Sequence, residues 1–497
     1  MDRKQNLHDW KISGILFLLL LGGAYGAFAQ QTKQKPPNII LILADDLGWT
    51  DITPFGSSFY ETPHLSQLAR EGMRFTNAYT ASPVCSPTRA SIMTGKYPSA
   101  LGLTDYIGAP DPQQLRNNPK WKARYRMLPA PTASHLPLDQ VTIAEALRDA
   151  NYATFIAGKW HLGDSAIYWP EHQGFEVNKG GNSMGHPRRN QATGTNGYFS
   201  PYGNPRLEDG PRGEHLPLRL AQETNQFIAA HSDRPFFIYL PFYSVHTPLQ
   251  TTPELQKKYT EKKEQLKLTD EFQTQGNLKT RTNQSHAIYA GMVESMDEAI
   301  GRVLDKLKAL NLDENTLVIF FSDNGGLSTS EGHPTSNIPL RGGKGWVYEG
   351  GIRVPMIVKW PGKIKSNTTS ATPVISTDLF PTLLQAARQS PAPAPHTDGV
   401  QLNRLFKGKK IAHRPLFWHY PHFSPQGGGA ASAVLYKGWK LIHWYEEDRY
   451  ELYHIDQDIS ESNNLITQYP KKAKALKEIL ERWLKTQNAQ YPIKYAS

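Results

Sequence analysis

Four apolar stretches of the chain each end in a short cluster of polar residues whose types could bind a metal ion or an anion. The stretches are NIILILADDLGW (38–49), YATFIAGKWHLG (152–163), PFFIYLPFYSVHTP (235–248) and TLVIFFSDNGG (316–326). The polar residues that follow them are Asp45, Asp46, Lys159, His161, His246, Asp323 and Asn324.

Three of these side chains are carboxylates and one is an amide, which are hard oxygen ligands. Such a set suits Ca²⁺ or Mg²⁺ and fits Zn²⁺ poorly, because zinc prefers histidine or thiolate. Taken alone, Asp45-Asp46 or Asp323-Asn324 could equally form a helix cap or a turn. Each of the two histidines, taken alone, could be a core residue. Because all four clusters follow apolar strands, we favour a common site.

The stretch PVCSPTRASIMTGK (83–96) contains the only cysteine in the chain, Cys85. Pro87 suits the first turn of a helix that runs to Gly95. This helix would place Cys85 at its N-terminus, where free N–H groups stabilise anions, with Arg89 one turn further on. A buried structural cysteine is the alternative, but the polar, arginine-containing surroundings argue against it.

The elements that must position these residues alternate along the chain. Continuous apolar runs of this length are typical of buried parallel strands, and helical patterns lie at 62–72, 141–152, 220–231 and 289–310. This alternation predicts an α/β fold with a large, mostly parallel central sheet that helices cover on both faces. The carboxyl ends of its strands form one edge, where we expect the polar clusters to converge.

The two ends of the chain differ from this pattern. The apolar run at 15–29 follows basic residues and ends in Ala27-Phe28-Ala29, which predicts a signal peptide over 1–29, with an uncleaved membrane anchor as the alternative. We therefore expect a protein exported to the periplasm or secreted, without stable membrane insertion. Short strand patterns and a final amphipathic helix predict a smaller C-terminal subdomain with an antiparallel sheet (412–497), after a main domain at 30–411.

The net charge of the chain is +10, which favours anionic partners. It carries no signature of a nucleic-acid-binding module, so we expect no nucleic-acid partner. Two long irregular segments, 104–136 and 178–215, are candidate walls of a substrate pocket. For the histidines outside the clusters we expect surface or loop roles; these are His172, His186, His215, His333, His419 and His422.

The pentapeptide Cys85-Ser86-Pro87-Thr88-Arg89 has the C-x-P-x-R core that resembles the signature of the sulfatase family, and it continues as the typical ASIMTGKYP. The segments GKWHLG, YSVHTP, SDNGG and GGKGWVYEGGIRVP follow in the family's order, so the resemblance covers most of residues 38–385. The family belongs to the alkaline-phosphatase-like superfamily, whose architecture agrees with the α/β fold expected above.

The resemblance implies that a formylglycine-generating maturation enzyme oxidises Cys85 to Cα-formylglycine. Its hydrate, a geminal diol, would bind the metal through one oxygen and attack the sulfur of a sulfate ester with the other. The implied metal is one Ca²⁺ ion, in preference to Mg²⁺. The implied ligands are Asp45, Asp46, Asp323, Asn324 and residue 85.

The same resemblance gives roles to the remaining residues. Arg89, with His161 beside it, would stabilise and help activate the diol. Lys159 and Lys344 would bind sulfate oxygens, and His246 would bind the sulfate and protonate the departing alcohol.

These residues predict an enzyme that hydrolyses sulfate esters, with O-sulfate groups on a glycan as its substrate. The alternatives are a phosphonate or phosphodiester hydrolase on the same scaffold and a catalytically inactive glycan-binding protein. The C-terminal stretch resembles that of bacterial polysaccharide sulfatases, so four of its residues are expected to close over a sugar: Trp418, His419, Tyr420 and His422.

Overall fold

The computed structural model describes residues 35–190, 192, 194–275, 278–387 and 397–495. The predicted signal peptide lies outside these residues. Within them, no helix has both the length and the apolar character needed to cross a membrane. The central sheet is built from β1 (Asn38–Ala44), β2 (Met73–Tyr79), β3 (Ala153–Ala157), β4 (Val177–Lys179), β5 (Phe236–Pro241), β6 (Thr316–Ser322), β7 (Arg353–Lys359), β8 (Thr368–Ser370) and β9 (Val374–Ile375).

The strand order of this sheet is β8-β2-β7-β6-β1-β5-β3-β4, and β9 also pairs with β2. Strand β7 runs antiparallel to both of its neighbours, whereas the other pairs are parallel. The expectation of a large, mostly parallel sheet is therefore confirmed. The four strands predicted from continuous apolar runs, β1, β3, β5 and β6, are the four contiguous strands at its centre.

Helices cover both faces of the sheet. Since side chains alternate along a strand, Ile40 and Ile42 of β1 enter one core cluster, whereas Ile39 and Leu41 enter the other. The longer helices are α1 (Pro63–Glu71), α2 (Cys85–Thr94), α3 (Ile143–Asp149), α4 (Leu216–Ala230), α5 (Pro253–Gln265), α6 (Ala287–Ala309) and α7 (Leu379–Ala386). Helices α1, α4, α5 and α6 pack on the first face, and α2, α3 and α7 on the second.

A second sheet follows near the C-terminus. Strands β10 (Leu416–Tyr420), β11 (Ala431–Tyr436), β12 (Trp439–Trp444) and β13 (Arg449–His454) form an antiparallel meander. Helix α8 (Pro470–Thr486) buries its apolar stripe in the same core cluster, which also contains Tyr79 and Ile352 from the central region. The antiparallel sheet and the terminal helix are confirmed, while the domain boundary at 411/412 stays a prediction.

Shorter elements connect these layers. Single-turn helices are Pro98–Leu101, Pro112–Leu115, Pro119–Arg124, Glu349–Ile352 and Asn403–Phe406, and 3-10 turns are Thr53–Phe55, Ala166–Tyr168, Pro170–His172, Asp313–Asn315 and Ser376–Asp378. Two-stranded ladders pair Met127–Leu128 with Ile493–Lys494, Arg189–Asn190 with Thr195–Asn196, and Phe272–Gln275 with Leu278–Arg281.

The structure contradicts one prediction for the C-terminal stretch. Trp418, His419, Tyr420 and His422 are all buried, so their side chains present almost no surface to a sugar. Their polar atoms have internal partners: the Trp418 indole donates to the Thr80 carbonyl, and His419 contacts Ser432 Oγ and the Gln490 carbonyl. The surface or loop role expected for His419 is therefore wrong, because this residue lies within a buried strand. His215 and His422 lie in loops, as one of the two expected roles requires, but both are buried.

A buried charge cluster joins the two sheets. Lys440 of β12 places its Nζ 2.9 Å from Glu349 Oε1 and 2.8 Å from Glu461 Oε1, and all three side chains are inaccessible to solvent. The Glu349 amide also donates to Glu461 Oε2 at 2.7 Å. Burial raises the pKa of Glu461 to about 7, whereas Lys440 and Arg353 overcome burial and lower the pKa of Glu349.

We expect Lys440→Met to lower the free energy of unfolding by about 3–5 kcal/mol, because it leaves the buried Glu461 without its cation and the buried Glu349 with Arg353 alone. Guanidinium denaturation at pH 7 measures the change, with the exposed Lys474→Met as the matched control, which should shift it by less than about 0.5 kcal/mol. Adding Glu461→Gln to Lys440→Met should recover part of the loss. Equal stability of the two lysine variants would contradict this account.

Candidate active site

Two acidic pairs meet at one edge of the central sheet. Asp45 and Asp46 directly follow β1, Asp323 and Asn324 directly follow β6, and these two strands are parallel neighbours in register, with Ala44 opposite Ser322. All four side chains are fully buried. Oxygen atoms of the three carboxylates lie within 4.8 Å of one another.

This cluster fits a divalent cation. Three buried carboxylates repel one another, and burial followed by the charge of Asp323 raises the pKa of Asp45. Asp45 Oδ1 and Asn324 Oδ1 are buried and accept no hydrogen bond from the described residues. A buried oxygen without a partner is costly, and a hard cation would satisfy both atoms.

The backbone at Asp46 turns into the left-handed region, with a φ of 63°. Few residues other than glycine adopt this conformation. It directs the Asp46 amide towards Asp323 Oδ1 at 3.2 Å, and Asn324 Nδ2 donates to Asp46 Oδ1 at 2.8 Å. The unusual turn thus ties the two pairs together.

Cys85 is the first residue of helix α2, as expected, and it is buried. Its Sγ lies 3.5 Å from His161 Nδ1. Burial raises the pKa of the Cys85 thiol, although the nearby Lys159 and Lys344 oppose the effect. The unmodified side chain is therefore a protonated thiol at neutral pH and a poor nucleophile.

Arg89 lies one turn after Cys85 and is fully buried beside the acidic cluster. Its Nε donates to Asp323 Oδ2 at 2.8 Å, and an Nη donates to the Lys159 carbonyl at 2.7 Å. Arg89 therefore fixes helix α2 against the ends of β3 and β6.

His161 also adopts a left-handed backbone conformation, with a φ of 56°. Its Nε2 lies 3.1 Å from the Ile107 carbonyl and must carry the proton of that hydrogen bond. Burial, followed by Lys159 and Arg89, lowers the pKa of His161 well below its usual value. The ring is therefore neutral, and its Nδ1 accepts from the Ser86 hydroxyl at 3.2 Å.

Two buried lysines balance the carboxylates. Lys159 Nζ lies 2.7 Å from Asp45 Oδ2, and Lys344 Nζ lies 2.8 Å from Asp46 Oδ2. Next to Lys344, Gly345 has a φ of 82°, and a Cβ there would lie 2.0 Å from Ser424 Oγ. Only glycine allows the lysine loop to pack this closely against the C-terminal segment.

His246 completes the group from the loop after β5. Its Nδ1 donates to the Thr247 carbonyl at 2.8 Å, so Nε2 faces Asp46 Oδ2, 3.6 Å away. Burial and then Lys344 lower the pKa of His246 to about 3, although Asp46 opposes the shift. The imidazole is neutral in the free protein.

The structure thus brings together all nine residues predicted from the sequence: Asp45, Asp46, Cys85, Arg89, Lys159, His161, His246, Asp323 and Asn324, with Lys344 joining them from the segment that the resemblance identified.

Two residues of the site were missed. His186, expected to have a surface or loop role, stacks on His246 with ring centroids 5.8 Å apart. Ser86, quoted only as part of the motif, hydrogen-bonds both His161 and the Ile107 amide. Both segments predicted to line a pocket, 104–136 and 178–215, do reach the site, but sequence alone does not show which of their residues face inward.

Comparison with known proteins agrees with this arrangement. Residues 37–389 match the family model Sulfatase, and residues 343–490 match the model N-sulphoglucosamine sulphohydrolase, C-terminal. A sulfatase of Formosa agariphila is 32% identical, with 96% of this chain and 94% of the relative covered. The N-acetylgalactosamine-6-sulfatase of Canis lupus familiaris is 30% identical, with 90% and 79% covered.

Among solved structures, Ps i-CgsB in complex with k-i-k-neocarrahexaose superimposes with a TM-score of 0.73 at 27% identity. The match covers 90% of this chain and 93% of that one. The family model spans most of the chain, and the residues that it covers include the whole acidic cluster, Cys85 and both lysines. The chain belongs to the sulfatase family and is a sulfuric ester hydrolase.

Proposed function

We propose that this enzyme removes O-sulfate groups from a glycan, with a formylglycine derived from Cys85 as its nucleophile. The observation that supports this proposal most strongly is the position of Cys85. It lies at a helix N-terminus, beside three buried carboxylates and within a group of buried cations formed by Arg89, Lys159 and Lys344.

The environment of Cys85 favours a modified side chain over a thiolate. The pKa of its thiol is raised by burial, and the neighbouring His161 already accepts a hydroxyl proton at Nδ1. The diol of a formylglycine at this position would supply a nucleophilic oxygen, so the reaction would not depend on forming a thiolate. The proposal therefore includes a formylglycine-generating maturation enzyme as a partner, and export through the predicted signal peptide.

The acidic cluster is proposed to hold one Ca²⁺ ion through Asp45, Asp46, Asp323 and Asn324, together with residue 85. When bound, this ion would stabilise negative charge on the sulfate and on the nucleophile. Arg89 holds Asp323 in place through its two donated contacts with that carboxylate and the Lys159 carbonyl.

The sulfate is proposed to lie among Lys159, Lys344 and His246. Each of these side chains contacts an acidic residue in the free protein, so its charged or polar end already points at the cluster. A bound sulfate anion beside His246 would favour its protonated form. One diol oxygen bonds to the sulfur, and the imidazolium could then donate a proton from Nε2 to the alcohol as its bond to sulfur breaks. In a second step the other hydroxyl gives its proton to the neutral His161, which lies beside residue 85, and its oxygen forms the carbonyl as the bond between Cβ of residue 85 and the sulfate oxygen breaks.

Two relatives support a carbohydrate substrate. One is named for a sulfated amino sugar, and the other was solved with a neocarrahexaose. The net charge of +10 suits a polyanionic glycan. A phosphodiester-cleaving enzyme remains the second candidate, and preference for phosphate diesters over sulfate monoesters in steady-state assays would favour it.

We expect Cys85→Ala to reduce turnover of 4-nitrophenyl sulfate by roughly 10⁴-fold or more, because it removes the nucleophile. Circular dichroism should show an unchanged fold. Intact-mass analysis of the wild-type protein from its native host should show loss of the thiol at residue 85. Near-normal turnover by the alanine variant, or an unmodified and active cysteine, would contradict the mechanism.

We expect His246→Ala to slow hydrolysis of a sugar sulfate about 10²–10⁴-fold and to affect 4-nitrophenyl sulfate much less. The reason is that a sugar alkoxide needs a proton to leave, whereas 4-nitrophenolate does not. His172→Ala, an exposed histidine, is the matched control. An equal loss on both substrates would exclude His246 as the general acid.

We expect chelation with EDTA to abolish sulfate release, and added Ca²⁺ to restore it and to raise the melting temperature. The ion would relieve the repulsion among the three carboxylates and satisfy Asp45 Oδ1 and Asn324 Oδ1. Asp323→Asn should weaken the calcium-dependent rise in melting temperature. Full activity of metal-free protein, verified by elemental analysis, would contradict the assignment.

A further inference from the structure

A pocket of about 310 Å³ lies between the irregular segment 104–136 and the loop around Phe423. Its walls include the short helix Pro119–Arg124 and the side chains of Tyr106 and Pro425. None of these residues belongs to the sulfate-binding group described above.

Both walls of the pocket continue into segments that hold the active site. On one side, Tyr106 is followed by Ile107, whose amide donates to Ser86 Oγ and whose carbonyl accepts from His161. On the other side, Pro425 follows Ser424, which packs against Gly345 beside Lys344. Tyr106 also lies close enough to Lys344 for the charge of that lysine to act on the pKa of Tyr106, which burial and then Asp105 raise. The pocket therefore adjoins the nucleophile.

Three aromatic rings form one wall. The ring centroids of Tyr125 lie 4.5 Å from those of Trp121 and of Phe423. The indole of Trp121 donates to the Met127 carbonyl at 3.0 Å, which fixes the orientation of the ring. Trp121 and Tyr125 are half-buried and keep part of their surface accessible. Rigid rings of this kind suit the apolar C–H face of a sugar.

The same helix supplies positive charge. Residues 112–128 contain five basic residues and no acidic one. Lys120 and Arg124 line the pocket and are exposed, and neither forms an ion pair with a carboxylate among the described residues. The only acidic residue in the lining is Asp105, whose pKa burial raises to about 7 and whose Oδ1 already accepts from the Tyr420 hydroxyl. The pocket thus favours an anionic group.

We propose that this pocket is a second sugar-binding site, which takes the sugar next to the one whose sulfate is hydrolysed. Trp121 and Tyr125 contact its ring, and Lys120 and Arg124 bind a sulfate group on it, Arg124 through two parallel N–H donors. The inference rests on the proposed function, because it assumes a glycan at the catalytic centre. It makes the enzyme selective for oligosaccharides that carry sulfate on neighbouring sugars.

Binding tests the pocket without requiring catalysis. Calorimetry on the Cys85→Ala protein uses a chondroitin 6-sulfate tetrasaccharide and an ι-carrageenan tetrasaccharide, with uncharged neoagarotetraose for comparison. The double variant Lys120→Ala/Arg124→Ala should weaken binding of a sulfated tetrasaccharide about tenfold or more, equivalent to about 1.4 kcal/mol per tenfold. Lys122→Ala is the matched control, because its ammonium lies over the Tyr495 ring and not in the pocket.

The same variants in the otherwise wild-type enzyme should turn over 4-nitrophenyl sulfate at the unchanged rate, since this substrate carries no second sulfate group for Lys120 and Arg124 to bind. Failure of the proposed function would appear there, as an absence of sulfate release by the wild type. Failure of the present inference would appear in calorimetry: no binding of either sulfated tetrasaccharide, an unchanged affinity in the double variant, or an equal loss in Lys122→Ala would overturn it.

Discussion

The repulsion among three buried carboxylates at the end of two neighbouring strands is the constraint on which the site depends. Asp45, Asp46 and Asp323 lie within reach of one another and away from water, an arrangement that is stable only when cations surround it. Arg89, Lys159 and Lys344 supply that charge, and each comes from a different segment of the chain. The acidic cluster therefore draws the separate parts of the site together.

The pairing of these carboxylates with buried cations also accounts for the arrangement of β1, β6 and helix α2. Strands β1 and β6 are adjacent and in register, so the acidic residues that directly follow the two strands lie side by side. Helix α2 must then approach that edge with its N-terminus, because Arg89 reaches Asp323 from the second turn and leaves Cys85 facing the cluster. Fixing one arginine thus fixes the position of the residue proposed to become the nucleophile.

Sequence predicted the parts of the fold that depend on local pattern. Long apolar runs identified the four central strands, and Pro87 and Gly95 bounded helix α2 as expected. Strands β2 and β7 were not predicted, because neither has a continuous apolar run in the sequence. Strand β2 alternates buried and half-buried residues, and β7 contains Pro355. The candidate metal ligands could be identified from the sequence because they directly follow apolar strands. The stacking of His186 on His246 could not, because it depends on how an irregular segment folds back.

The burial of Trp418 and its neighbours could not be predicted for the same reason. An aromatic and histidine-rich strand suits a sugar cleft or a core equally well, and only the partner surface decides. Here that surface is the central region itself, since the Trp418 indole donates to Thr80 and the Tyr420 hydroxyl to Asp105. Strand β10 consequently holds residues 104–107 in place, and Ile107 of this segment contacts His161.

The C-terminal sheet thus contacts segments that hold the candidate active site. Lys440 ties it to the turn that follows the Lys344 loop, and Ser424 packs against Gly345 of that loop. Since Lys344 balances Asp46, the position of this lysine, which we propose to bind sulfate, depends on contacts made some 80 residues later in the chain, as counted from Gly345 to Ser424. A boundary at 411/412 marks the point where the sequence pattern changes to short strands. The position of Lys344, which we propose to bind sulfate, nevertheless depends on residues both before and after that boundary.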